Sequence, residues 1–332
     1  MINPALKLNP DIFTEKIAQK PTRNGYGEGL VLAGQENKNV VVLCADVTES
    51  TRSSAFKEKF PERFVELGVA EQNMAAVAAG MGISGKCVFI SSYAVFSPGR
   101  NWEQIRTTIC YNNSNVKIAG SHAGISVGAD GATHQALEDI ALIRVLPNIK
   151  VVVPCDALET KKATLALSRF YGPAYVRFAR EKTPVFTSNE APFEMGKAEI
   201  FWLPENEKKV DAAIIACGPL LYNALLAAKE LEEKGLNLYV VNNHTIKPMD
   251  EKTIIDVAKK AGAVVTVEEH QIYGGMGSAV AEVLARNHPV PMEFVGIQDK
   301  FGESGEPGEL IEKYGIGVSS IKEAVKKVIK RK

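Results

Sequence analysis

The chain has 332 residues, room for two domains of ordinary size, and 45% of them are hydrophobic, which suits a protein with a full core. Its 39 Lys+Arg are balanced by 39 Asp+Glu, leaving no cationic surplus for nucleic acid or an anionic membrane. Residues 1–20 carry no apolar run of leader length, and the most apolar stretch, 73–90, is broken by Gly80, Gly82, Gly85 and Lys86, so neither a signal peptide nor a membrane span is expected and a cytoplasmic location is.

In chain order, residues 40–45 form an apolar, β-branched run that predicts a buried strand. Residues 64–66 predict a short strand that hands over at Glu71 to an apolar helix over 74–82, and strands are expected at 87–91 and 116–120. Further strands are expected at 150–153 and 174–178. Between them Asp156 and Glu159 have the spacing of a capping box, which starts a helix running to about Phe170. Residues 181–196 hold Thr183-Pro184, Ser188-Asn189 and Ala191-Pro192, a turn-rich stretch that reads as a linker. Beyond it strands are expected at 212–216, 236–241 and 263–267. Amphipathic helices alternate with them, one stopped at Gly235 and one at Gly262. Alternating strand and helix signals predict an α/β protein of two doubly wound domains, mostly parallel sheets with helices on both faces. Residues 1–190 make the first domain and residues 191–332 a smaller second one. Cys44, Cys87, Cys110, Cys155 and Cys217 are widely spaced with no Cys-x-x-Cys pair, and read as reduced core thiols rather than a metal or disulfide framework.

Ligands of open α/β sheets bind beyond the C-terminal strand ends. In the first domain four such ends carry polar clusters: residues 46–52, Glu71, residues 93–100 and residues 122–134. The fourth has Gly124, Gly128 and Gly131, which permit tight turns and close approach to a ligand, together with His122, Asp130 and His134. No short His-x-His or His-x-x-x-His spacing supports a metal there. Glu71, followed by Ala75, Ala76, Val77, Ala78 and Ala79, is expected in an apolar setting with few partners. Such burial disfavours ionisation, and a protonated carboxyl can donate a hydrogen bond to a ring nitrogen.

Gly68-Val69-Ala70-Glu71-Gln72-Asn73-Met74, the aromatic-bearing segment 89–100, and His122 through Gly128-Ala129-Asp130-Gly131-Ala132-Thr133-His134-Gln135 together resemble the pyrimidine-binding domain of transketolase-type thiamine diphosphate enzymes. Thr22-Arg23, Ala45-Asp46-Val47-Thr48-Glu49-Ser50, Leu146-Pro147-Asn148-Ile149 and Val153-Pro154-Cys155-Asp156 extend the likeness. In the second half, residues 243–248, Glu268-Glu269-His270 and Gly274-Gly275-Met276-Gly277-Ser278 resemble the C-terminal domain of the same enzymes. The resemblance implies thiamine diphosphate as cofactor, with Glu71 hydrogen-bonded to N1′ of its aminopyrimidine, Phe96 and Tyr93 packed on the ring, Phe89 nearby and Asp46 among the cofactor contacts. It implies that Arg23, Ser50, His122 and Arg180 contact a sugar phosphate, that Asp130 accepts from a substrate hydroxyl, and that His134 lies near the reacting oxygens. Glu71, His134 and His122 are the catalytic expectations. Arg100 is set aside as a structural ion-pair partner.

The family's diphosphate signature, Gly-Asp-Gly followed by Asn, is absent. The chain therefore resembles the C-terminal half of a two-chain transketolase. The implied partner is a separate N-terminal subunit that holds the diphosphate and its Mg²⁺ (or Ca²⁺), and the implied assembly is an α2β2 heterotetramer. Three readings compete: the β subunit of a 2-oxo acid dehydrogenase, a deoxyxylulose phosphate synthase-like fragment, and a non-catalytic assembly subunit. The first is disfavoured by His122 and the Asp130-to-Gln135 run, the second by His122 where that family tends to carry arginine, and the third by the intact Glu71, Asp130 and both histidines. A nicotinamide-dependent dehydrogenase is rejected, because Gly25, Gly27 and Gly29 have the wrong spacing for a dinucleotide loop.

Overall fold

The computed structural model describes residues 1–332. Apolar β-branched runs pair into two main sheets. The larger has seven strands in the order Thr245–Lys247, Lys150–Val152, Ala174–Arg177, Val116–Ser121, Cys87–Tyr93, Val40–Cys44 and Phe64–Glu66. All its pairings are parallel except that of Thr245–Lys247 with Lys150–Val152, which is antiparallel. The second has five strands in the order Met292–Ile297, Val264–Gln271, Ala212–Ala216, Leu238–Asn242 and Glu199–Trp202, with only the last antiparallel. The central strands are buried on both sides, which is why they read as continuous apolar runs instead of alternating ones. The α/β architecture with parallel sheets is the one expected.

Three details depart from the sequence reading. The run 181–196 is not all linker, because Lys182–Pro184 pairs antiparallel with Gln19–Pro21. Asp156 caps the helix Ala157–Arg169 as expected, accepting from the Glu159 backbone at 2.9 Å, but its other oxygen takes the backbone N–H groups of Phe186 and Thr187 at 3.0 and 2.7 Å. Helix start and the segment after the first sheet are thus fixed by one buried carboxylate. The third is the strand Thr245–Lys247, which leaves the second half of the chain to become an edge of the first sheet. All five cysteines are free and buried, as expected. No helix is long and apolar enough to cross a membrane.

Candidate functional site

Glu71 opens the helix Glu71–Ile83 directly after the strand Phe64–Glu66, and its side chain is 2% exposed. The setting is less empty than its neighbours in sequence suggest. Arg100 Nη1 donates to Glu71 Oε2 at 2.7 Å, and the Asn101 amide donates to the Glu71 carbonyl at 3.2 Å. The Arg100 guanidinium also lies over the Phe96 ring, 4.7 Å from its centroid. Arg100, set aside on sequence grounds, is therefore the side chain that faces the buried acid.

Phe96 and Tyr93 stand side by side at the end of the strand Cys87–Tyr93, with ring centroids 6.3 Å apart. They join the loop histidines: Tyr93 lies 4.1 Å from the His122 ring, and Phe96 lies 5.6 Å from the His134 ring. His122 Nδ1 pairs with Ser121 Oγ at 2.7 Å, and its Nε2 faces Arg23 Nη1 at 3.4 Å. A guanidinium can only donate, so Nε2 is the acceptor and the ring proton sits on Nδ1. Burial first, then the charges of Arg23, Arg180, His134 and Arg52, hold His122 down to about 3. Arg23 Nη1 also donates to the Ser50 carbonyl at 2.9 Å, and Arg180 Nη1 donates to the Val127 carbonyl at 2.8 Å. Contacts therefore link Glu71, Arg100, Phe96, Tyr93, His134, His122, Arg23 and Ser50 into one face, with Arg180 beside them.

Three expected residues fall outside that chain of contacts. Phe89 is fully buried in the core cluster of Tyr26, Val42, Val176 and Phe178. It lies four residues deeper than Tyr93 on the same strand, about 13 Å at the strand repeat, and so does not line the face. Asp46 is exposed, in the left-handed region at φ 59, and its backbone N–H donates to Glu66 Oε1 at 2.7 Å. Asp130 is exposed at the end of the short helix Ile125–Asp130 within the histidine loop, and its side chain makes no hydrogen bond or ion pair.

The second half of the chain holds that loop in place. Glu269 Oε1 accepts from the Ser126 backbone at 2.6 Å, and Gln135 Nε2 donates to the Glu303 carbonyl at 2.9 Å. Gly124, at φ 93, is packed so tightly that a Cβ there would sit 2.3 Å from Glu269 Oε1. A glycine is required at that point by both backbone and space.

A buried acid at a helix start, an aromatic pair beside it, a histidine-bearing loop and the guanidinium groups of Arg23 and Arg180 thus gather at the strand ends of an α/β protein. Comparison with known proteins makes the class specific. The transketolase pyrimidine-binding domain family matches residues 18–185, and the transketolase C-terminal domain family matches residues 203–321. The chain belongs to the transketolase family, and membership implies dependence on thiamine diphosphate through the pyrimidine-binding domain. It is 45% identical over 315 residues to a putative transketolase C-terminal section of Methanocaldococcus jannaschii, covering 94% of this chain and 97% of that one. It is 36% identical to a 6-deoxy-6-sulfo-D-fructose transketolase subunit of a Clostridium species, covering 96% and 98%. Among solved structures it resembles a split gene transketolase described as an inactive β4 tetramer, with a TM-score of 0.87, 46% identity, and coverage of 94% of this chain and 99% of that one.

Proposed function

We propose that the chain is the C-terminal subunit of a two-chain transketolase, moving a two-carbon ketol unit from a ketose phosphate to an aldose phosphate. One observation carries the reading. A flat guanidinium lies on Phe96 and donates to the buried Glu71. Stacking plus one hydrogen bond to an acid is what an aminopyrimidine ring asks of a protein, so the residues present fit the family's cofactor. When bound, thiamine diphosphate supplies a nucleophilic carbon and an electron sink for the transferred unit.

The chain's own groups do the rest. Glu71 would hold the ring nitrogen in the place that Nη1 of Arg100, a half-exposed side chain at the rim, occupies. Tyr93 and Phe96 would flank the ring, and Asp46 would be a further cofactor contact. Arg23, Ser50 and Arg180 receive the phosphate end of the sugar, since guanidinium and hydroxyl donors suit a dianion. His122, neutral with Nδ1 committed to Ser121, offers Nε2 to a hydroxyl proton, while His134 and Asp130 address the remaining oxygens. The diphosphate and its Mg²⁺ (or Ca²⁺) are assigned to a separate N-terminal subunit, in an α2β2 assembly, because this chain lacks the Gly-Asp-Gly signature. The similar structure described as an inactive β4 tetramer supports the view that such a chain alone assembles without turnover. Five unpaired thiols suit a reducing compartment, the cytoplasm.

The test is co-expression with a candidate N-terminal subunit and an assay of ketol transfer from xylulose 5-phosphate to ribose 5-phosphate. The pair is expected to turn over with thiamine diphosphate and this chain alone is not. Glu71→Ala is expected to lower kcat by about 10²–10⁴. Decarboxylation of a 2-oxo acid in place of ketol transfer would favour the dehydrogenase reading. An unchanged rate in Glu71→Ala would leave only an assembly role.

A further inference from the structure

Arg52 sits two residues beyond Ser50, on the loop that follows the strand Val40–Cys44, and no motif drew attention to it. Its backbone is left-handed at φ 65, a conformation that residues with a side chain seldom adopt. The helix Thr22–Glu36 presses against it: a Cβ on Gly27 would lie 2.6 Å from the Arg52 carbonyl oxygen. Arg52 Nε donates to Asn24 Oδ1 at 3.0 Å, while Arg23, one residue earlier on that helix, donates to the Ser50 carbonyl on the Arg52 loop at 2.9 Å. The two arginines are thus fixed reciprocally, each by the other's segment. Neither makes an ion pair, and Arg23 Nε is buried without a hydrogen-bond partner. Of Arg23, Arg52 and Arg180, only Arg180 has a carboxylate, Glu181 at 3.2 Å. The charge of Arg52 is close enough to lower both Arg23 and His122, after burial as the larger cause for each. The surplus positive charge left at this end of the site is that of a dianion's counterpart.

Resting on the proposed function, we propose that Arg52 is a specificity-determining residue that joins Arg23 and Arg180 on the sugar's terminal phosphate, and so favours dianionic ketose phosphates over neutral or monoanionic ketoses. Its exposed side chain is anchored through Nε, leaving both terminal nitrogens for an anion arriving from the open side. The sulfo-sugar named for one relative carries a single negative charge at that end, which makes charge at this position a natural axis of substrate choice.

The experiment uses the reconstituted two-chain enzyme with Arg52→Gln and Arg52→Lys, xylulose 5-phosphate and neutral L-erythrulose as donors, and inorganic phosphate as a competing anion. In Arg52→Gln, the ratio of kcat/KM for the phosphorylated to the neutral donor is expected to fall about tenfold or more, carried by KM. The Ki of inorganic phosphate should rise by a similar factor, and Arg52→Lys should recover part of both. An unchanged ratio, or equal losses with both donors, would overturn the assignment. Failure of the wild-type pair to use either ketose would overturn the proposed function itself, and this inference with it.

Discussion

His122 owes its chemistry to what the fold sets beside it. With burial, Arg23 and Arg180 holding it down to about 3, below the ordinary 6.5, the unfolded chain takes up the proton first as pH falls. Its contribution to stability is complete above 6.5 and is lost between 6.5 and about 3. We expect the His122 ring resonances of the isolated chain to stay unshifted from about pH 8 to about pH 5, and a midpoint near the ordinary histidine value would refute that. His122→Gln should flatten the acid limb of the thermal stability curve. Such effects were not readable beforehand, because Arg23 lies 99 residues from His122 and Arg100 lies 29 from Glu71. The family resemblance pointed to Glu71, both histidines, Tyr93, Phe96, Arg23 and Arg180, whereas Arg100 and Arg52 acquire meaning only from long-range contact.

At the scale of elements, strands that bury apolar side chains on both faces were legible and those that bury polar ones were not. The run 212–216 is a strand at the expected residues, since every side chain there is apolar. The strand Val264–Gln271 runs four residues past its expected end, through Glu268, Glu269 and His270, which are buried because the fold supplies partners. Glu268, for instance, accepts the first N–H groups of the helix Met276–Asn287, from Met276 at 2.6 Å and Gly277 at 2.8 Å. In the seven-stranded sheet, the strand Ala174–Arg177 ends on a buried ion pair. Arg177 Nε donates to Asp139 Oδ2 at 2.8 Å, Tyr175 donates to the same oxygen at 2.6 Å, and Arg177 reaches the Glu269 carbonyl at 2.7 Å. Removing one member leaves the other charged and dry. Arg177→Met is therefore expected to cost about 3–5 kcal/mol in urea unfolding, and Arg177→Met with Asp139→Leu much less. Equal losses would show that packing, not charge, dominates there.

For the whole molecule, the two sheets meet through polar groups as well as apolar ones. His244 is fully buried, with Nε2 3.0 Å from Glu199 Oε2 and Nδ1 2.8 Å from Thr245 Oγ1, close to the Glu159 carboxylate that Asn242 also holds. Burial opposes the imidazolium, but Glu199 and Glu159 override it and raise His244 above 6.5. The pair's contribution is thus present below pH 6.5 and lost as pH climbs through the raised value. We expect the thermal midpoint to drop as pH rises beyond 6.5, a slope that His244→Gln should abolish. A division near residue 190 was drawn from turn chemistry, and no pattern announced that Thr245–Lys247 would cross it, because three residues are too few to show a period. That crossing makes the polypeptide indivisible at its most obvious seam. Severed from the rest, residues 1–190 would present Lys150–Val152 as a bare ladder of unpaired amides, inviting a second copy to zip on. Such a fragment should elute as aggregate in size-exclusion chromatography, and a well-behaved monomer would show the borrowed strand to be dispensable.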